Sequence, residues 1–348
     1  MKNKLTLILL LIFSISLFGC SSQAAPYSPE SFYMGTVINQ KVYGKNAKKA
    51  GDLVIDRMKE IEASMTINTP GGEINPLNDA AGLNPVPVSP SVMFLLNKSK
   101  EYGELSQGAF DVTIGPLVKE WGIFTDNPKI PSSDKINELL KLVDYKTLLI
   151  DTMNNTAMLP MKGQIVDLGG IAKGYAGNEA IRIYKENEIT SGFINLGGNV
   201  VVLGTKPDGA LWNIGVQNPR DVNGKIIGKL AVKDTAIVSS GDYERFFEKD
   251  GVRYHHILDP KTGSPSKSDL IGVTIVVDST IVTDSSTDGD ALSTSVFVLG
   301  LDKGRQLVES LKGVNAVFIT EDKKVYVTSG LKDKFTFDDE SKVYQYVQ

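Results

Sequence analysis

Asp290 and Thr294 stand four residues apart, a spacing that on a helix puts a carboxylate and a hydroxyl on one face. A carboxylate with a hydroxyl or carbonyl oxygen is a donor set for a hard cation such as Mg²⁺, with positions left for water and phosphate. The same residues also read as helix capping, with Asp288 or Asp290 closing the N-terminus and Thr294 bonding back to its own turn. A second segment runs Asp167-Leu168-Gly169-Gly170-Ile171-Ala172-Lys173-Gly174-Tyr175-Ala176. It reads as a strand ending in an acid, glycines that let backbone approach a ligand, and a helix N-terminus that favours an anion. Lys173 would be the phosphate partner. The alternative is a strand-turn-helix whose glycines only ease packing. A third segment, Tyr254-His255-His256-Ile257-Leu258-Asp259-Pro260-Lys261-Thr262-Gly263, is a strand running into a turn. One of the two histidines must face the inner side of the sheet. A histidine in a cleft moves protons near neutral pH; elsewhere it is a satisfied core or rim residue.

Absences narrow the chemistry. No two of the 33 glycines are separated by a single residue, so the GxGxxG dinucleotide fingerprint does not occur. The phosphate-binding GxxxxGK[ST] pattern is missing too. His255 and His256 are the only histidines, and adjacent strand residues point to opposite faces, which argues against a two-histidine zinc site. With 37 basic against 41 acidic residues and a net charge of -4, the chain has no overall basic field, and no local patch for nucleic acid is evident. Hydrophobic residues at 41% and charged residues at 22% describe a folded globular protein.

These segments need elements to position them. Residues 1–19 read as a secretory signal: a basic start at Lys2 and Lys4, then an apolar run from Leu5 to Phe18, shorter than the roughly 20 residues of a membrane span. Cys20, the only cysteine, follows Gly19 at the expected cut. That arrangement resembles a bacterial lipobox, in which Cys20 is lipidated and anchors the protein at the extracytoplasmic face of the cell membrane. Disulfides and thiolate chemistry are then excluded. Residues 20–30 read as a tether and 31–348 as the folded domain. A first strand is expected over Phe32 to Val42, helices over Ala47 to Ser64, Ser91 to Leu105 and Asp134 to Leu142, and a hairpin around Asn154-Asn155. Gln164 to Leu168 reads as a strand leading into a helix that ends at Asn187. Further strands fall at 193–195, 200–203, 212–216, 230–232, 237–238, 254–258 and 271–277. A helix over 290–299 and strands at 316–320 and 324–327 complete the order. Strands and helices mix without strict alternation, which predicts an α+β fold with mainly antiparallel sheets flanked by helices. The order leaves room for two pseudo-similar halves, although no repeat is clear.

Taken in order, Met34-Gly35-Thr36, GAFDVTIGPL (108–117), DLGGIAKGYA (167–176), FINLGGNV (193–200), SSGDYERFF (239–247), HHILDPKTG (255–263) and DALSTSVFVLG (290–300) are far more specific than any one alone. Together they resemble the ApbE family of FAD:protein FMN transferases. The resemblance implies Mg²⁺-dependent cleavage of FAD, transfer of FMN to a threonine or serine hydroxyl of an acceptor protein, and release of AMP. It also implies, as acceptors, exported flavoproteins and subunits of membrane redox complexes. Metal ligation would fall to Asp290, Thr294 and the main-chain carbonyl of Ala172. FAD contacts would fall to Met34, Ala109, Phe110, Asp111, Asp167, Lys173 and Ile257, and His256 would contact FAD and serve as the catalytic base. Two departures stand out: Gly289 replaces a common alanine, which should loosen the metal loop, and Ser64 to Ile67 lacks an aromatic residue often found there. Flavin stacking would then rely on Tyr33, Tyr243 or neither. Two other activities share the motifs: an FAD pyrophosphatase yielding FMN and AMP, and a lipoprotein that binds FAD without reaction.

Overall fold

The structure, a computed structural model, describes residues 25–67, 71–221 and 223–347. The expected signal peptide, the lipidation site Cys20 and the start of the tether lie outside the described residues. The ordered body already includes Tyr27, within the expected tether. Its backbone pairs with Val42, and its hydroxyl donates to Asp52 Oδ1 at 2.6 Å. Among the described residues, no helix is long and apolar enough to cross a membrane.

Among the described residues, nine strands form one sheet whose spatial order follows the chain: β1 (Glu30–Tyr33), β2 (Thr36–Tyr43), β3 (Ser191–Leu196), β4 (Asn199–Leu203), β5 (Thr235–Gly241), β6 (Leu270–Asp278), β7 (Val314–Thr320), β8 (Lys324–Val327) and β9 (Gln345–Val347). Every neighbour is antiparallel except β8 and β9, which run parallel. With its helices, this is the α+β, mainly antiparallel architecture the sequence led us to expect. β6 is buried at every residue but the last, because both faces of the sheet are covered.

On one face lie the helices α1 (Ala47–Met65), α2 (Pro90–Leu105), α4 (Ala172–Glu186) and α5 (Ser285–Ser310, kinked at the non-helical Gly300), over a large core that includes Met58, Leu95, Leu96, Tyr184 and Phe297. On the other, a three-stranded sheet of 212–217, 226–232 and 335–337 closes a second core around Trp212, Leu230 and Phe335. The short α3 (Gly115–Trp121) belongs to a third cluster with Leu258.

Three expectations change. The long first strand is a hairpin, turned at Met34 and Gly35, both with left-handed φ (54° and 69°), the pairing a tight two-residue turn demands. Among the described residues, Gln164 to Leu168 joins no strand ladder. Ile165 makes one isolated bridge with Ile114, Val166 is tied to the Asn78 amide, and Asp167 N–H donates to Val112. Its apolar residues made it look like a strand, yet other partners take its backbone groups. Finally, α5 begins at Ser285 rather than Asp290, so neither Asp288 nor Asp290 is its cap; the N-cap is Asp284.

The same helix corrects the reading of Gly289. It lies within α5, not in a loop, and a Cβ there would come 3.0 Å from Val238 Cγ2. Glycine here lets the helix sit close to β5. At Gly174 the approach of α4 to α5 is tighter: an added Cβ would lie 2.3 Å from the Ser286 carbonyl oxygen and 2.6 Å from Asp290 Cβ. Gly174→Ala must push the two helices apart. We expect it to destabilise the fold by roughly 1–3 kcal/mol, the usual range for overpacking. Thermal unfolding checks this, and an unchanged melting temperature would refute the packing argument.

Candidate active site

Asp290 projects from the second turn of α5 toward the start of α4, and it is buried. Its Oδ2 accepts the Gly174 N–H at 2.8 Å, two residues after Ala172 opens that helix. Its Oδ1 accepts from Asn199 Nδ2 at 3.0 Å, at the start of β4. The N-terminus of α4 therefore receives a carboxylate from within the protein, as the helix dipole favours. Thr294 follows one turn later. A Cβ on Gly170 would lie 3.5 Å from Thr294 Oγ1 and 3.1 Å from Phe110 Cε2, so the Gly169-Gly170 turn, Phe110 and Thr294 meet. The glycines serve both readings: they let helices and turn pack, and they bring backbone to the carboxylate.

Among the described residues, no three His, Cys, Asp or Glu side chains cluster as a metal site. The observed partners of Asp290 are the Gly174 N–H and the Asn199 amide, while the other two expected ligands stand one turn further along α5, at Thr294, and at the first residue of α4, Ala172. Each Asp290 oxygen accepts one hydrogen bond and retains a lone pair. Asn199 Oδ1, fully buried, has no hydrogen-bond partner among the described residues. One charge, neutral oxygens and an unsatisfied buried acceptor fit Mg²⁺, which binds through one or two carboxylates and keeps other positions for water and phosphate. The nearby Asp288 and Asp284 already face a fixed cation: Lys98 Nζ lies 2.9 Å from Asp288 and 3.7 Å from Asp284, with Glu101 at 3.6 Å. Burial still raises the Asp288 carboxyl above its ordinary range, against the pull of Lys98.

The expected strand over 254–258 breaks after His255, and the two histidines on either side of the break have unlike surroundings. His255 is buried; its Nε2 bonds the Ser266 carbonyl at 3.0 Å, and its ring edge meets Phe297. That ring is a satisfied core group. His256 is half-buried at the end of the 246–249/252–255 hairpin. Its Nδ1 lies 3.2 Å from the Arg245 carbonyl oxygen, which also accepts its backbone N–H at 3.0 Å. A carbonyl only accepts, so Nδ1 carries the proton and Nε2 presents a lone pair. Burial, followed by the charge of Lys173, pushes the His256 pKa down to about 3. The ring is neutral at physiological pH, the state a base requires.

Burial raises the Glu244 carboxyl above its ordinary range, against the charges of Lys173 and Arg245. Around this group, the Arg245 guanidinium donates to the Gly35 carbonyl and lies 5.6 Å from the Phe124 ring centre, and that ring meets His256 edge-on at 5.7 Å. Met34 N–H donates to Glu62 Oε1 at 2.6 Å. The Met34-Gly35 turn is thus fastened from two sides and faces the hairpin that carries His256.

The other candidates spread further. Ala109 is buried, Phe110 is buried beside Gly170, and Ile257 packs in the main core. Asp167 Oδ1 caps Gly169 N–H at 2.8 Å, and burial raises its carboxyl against that bond and Lys119. Asp111 is engaged in the fold: it accepts from Thr113 N–H, Thr113 Oγ1 and Tyr145 N–H. It lines a cavity of about 460 Å³ with Tyr145, Lys146, Pro260 and Lys261. The stacking candidate Tyr243 lies just past β5 and folds back on the strand's last residue, its ring within 2.1 Å of where a Gly241 Cβ would stand. Sequence reasoning passed over Asn199, Arg245, Phe124 and Glu62. For the first two, the only signal was their place inside the FINLGGNV and SSGDYERFF runs.

The model of the ApbE family matches residues 34–318. An FAD:protein FMN transferase of Treponema pallidum is 33% identical over 333 residues, covering 91% of this chain and 90% of that protein. One from Klebsiella pneumoniae is 33% identical over 310 residues, covering 89% and 94%. Among solved structures, the ApbE protein of Thermotoga maritima superposes with a TM-score of 0.82 at 32% identity, over 89% of this chain and 99% of that one. The flavin transferase ApbE of Vibrio cholerae gives 0.78 at 26% identity, over 89% and 99%.

Proposed function

Because this chain belongs to the ApbE family, we propose that it is an FAD:protein FMN transferase. The reaction moves FMN from FAD to a threonine or serine hydroxyl of an acceptor flavoprotein and releases AMP. The acceptor oxygen attacks the FMN-side phosphorus, the bond from that phosphorus to the bridging oxygen breaks, and AMP leaves with that oxygen. The observation that carries this reading is Lys173, which adjoins the Gly174 held by Asp290 and whose charge reaches the neutral, oriented ring of His256.

Asp290, Thr294 and the Ala172 carbonyl would hold Mg²⁺, which neutralises charge on the diphosphate oxygens when bound. The remaining work falls to the chain itself. Lys173 supplies positive charge beside the reacting centre. His256 Nε2 takes the proton of the acceptor hydroxyl, and the Arg245 carbonyl stabilises the Nδ1–H as the ring becomes cationic. The fastened Met34 turn and the Phe110–Gly170 contact hold the ligand-facing backbone in place. Lipidation at Cys20 would anchor the enzyme at the extracytoplasmic face of the cell membrane, where an exported acceptor is within reach.

The test is intact-mass analysis of an exported flavin-domain protein encoded nearby, incubated with FAD, Mg²⁺ and this protein. An added FMN mass that disappears with EDTA is the expected result. Free FMN and AMP without an adduct would instead identify a pyrophosphatase, with water replacing the hydroxyl. Unaltered FAD would leave a binding protein.

A further inference from the structure

Asp290 is held by two donors, and only one is explained by the helix it faces. The second comes from Asn199, the first residue of β4, whose Nδ2 donates to Asp290 Oδ1 at 3.0 Å across 91 residues of chain. Asn199 is 0% exposed. Its amide has one possible sense here: turned over, its Oδ1 would face a carboxylate oxygen, two acceptors with no proton between them. The observed sense leaves Oδ1 buried without a partner among the described residues. A buried carbonyl oxygen left this way is costly. A side chain that only filled space would be cheaper as leucine. Oδ1 is also the kind of oxygen that hard cations and their bound waters seek.

We propose that Asn199 is a positioning residue of the cation site: its amide orients the Asp290 carboxylate, and its buried carbonyl oxygen is kept for a water of the bound cation. This rests on the reading of Asp290 as a cation ligand. The Gly174 N–H fixes Oδ2 and Asn199 fixes Oδ1, so the carboxylate cannot rotate and its free lone pairs keep one direction. Partners of metal ligands typically alter metal affinity by 10–100-fold when removed. A residue acting in this way should leave a site that still turns over once metal is supplied in excess.

The experiment titrates Mn²⁺, as a paramagnetic stand-in for Mg²⁺, into the full-length protein and follows free Mn²⁺ by electron paramagnetic resonance. Four proteins are compared: the unaltered chain, Asp290→Ala, Asn199→Ala and Asn199→Leu. The leucine variant keeps the volume, so it carries the test if the alanine variant does not fold. We expect binding that Asp290→Ala abolishes and that the Asn199 variants weaken about 10–100-fold. The Mg²⁺ concentration for half-maximal transfer should rise by the same factor, with kcat largely recovered at saturation. Asn199 variants that bind Mn²⁺ as the unaltered chain does would overturn the inference and leave the cation reading intact. If the unaltered chain shows no Asp290-dependent binding, the cation reading falls and the role of Asn199 falls with it.

Discussion

Asp290→Asn is expected to lower FMN transfer on the order of 10³-fold, because it removes the only charged donor among the proposed cation ligands while leaving the shape of the site. The fold should survive. An asparagine can keep its carbonyl oxygen toward the Gly174 N–H, which turns its amide toward Asn199. Asn199 can then rotate its own amide and accept through the oxygen that has no partner now. Stability should therefore change little, and the melting temperature separates a chemical loss from a structural one. Rates are read from the appearance of the FMN adduct across an Mg²⁺ titration. Transfer close to that of the unaltered enzyme would remove the metal assignment.

His256→Ala should lower kcat by about 10²–10⁴-fold, the range for loss of a general base, and change FAD affinity little. Equal losses in both would make His256 a binding residue. The pH dependence follows from the depressed pKa of about 3. The neutral, proton-accepting ring persists far below its ordinary titration near 6.5, so His256 adds no acid limb to the rate above about pH 4. A limb centred near 6.5 that vanished in the variant would contradict this. Stability moves in a definite direction. The unfolded chain protonates this histidine below about 6.5 while the folded chain resists until about 3, so stability is lost as pH falls through that window. His256→Ala removes that contribution. Urea unfolding at pH 7.5 and 5 should show a smaller acid loss for the variant.

Much of this architecture was legible because local pattern and final structure agree. The apolar spacing from Ala47 predicts a helix that runs from Ala47 to Met65, and the helix expected from Ser91 to Leu105 begins one residue earlier, at a proline capped by Ser89. Agreement ends where partners are distant. The apolar stretch from Phe32 to Val42 hides its turn, because a Met-Gly pair is a weak turn signal. Gln164 to Leu168 has the composition of a strand, but what surrounds it takes up its hydrogen bonds. The site divides the same way. Asp290 and Thr294 are recognisable by spacing alone, whereas Asn199 acquires its meaning from a residue 91 positions away and Arg245 from one 210 positions away. His256 was separable from His255 only once the sheet showed which ring is enclosed.

Arg245 supports the site through two unlike parts of itself. Its guanidinium ties down the Gly35 carbonyl, while its own carbonyl receives both the backbone N–H and the ring Nδ1 of His256. Every ordinary substitution at 245 strips the first role and preserves the second. An alanine scan would therefore report Arg245 as a loop anchor and stay silent about its hold on the base. Exposing that hold requires chemistry on the main chain itself, for instance a carbonyl made weaker as an acceptor by replacing the following amide with an ester. At this position, the residue type that evolution can vary and the atom that orients the base are separate things.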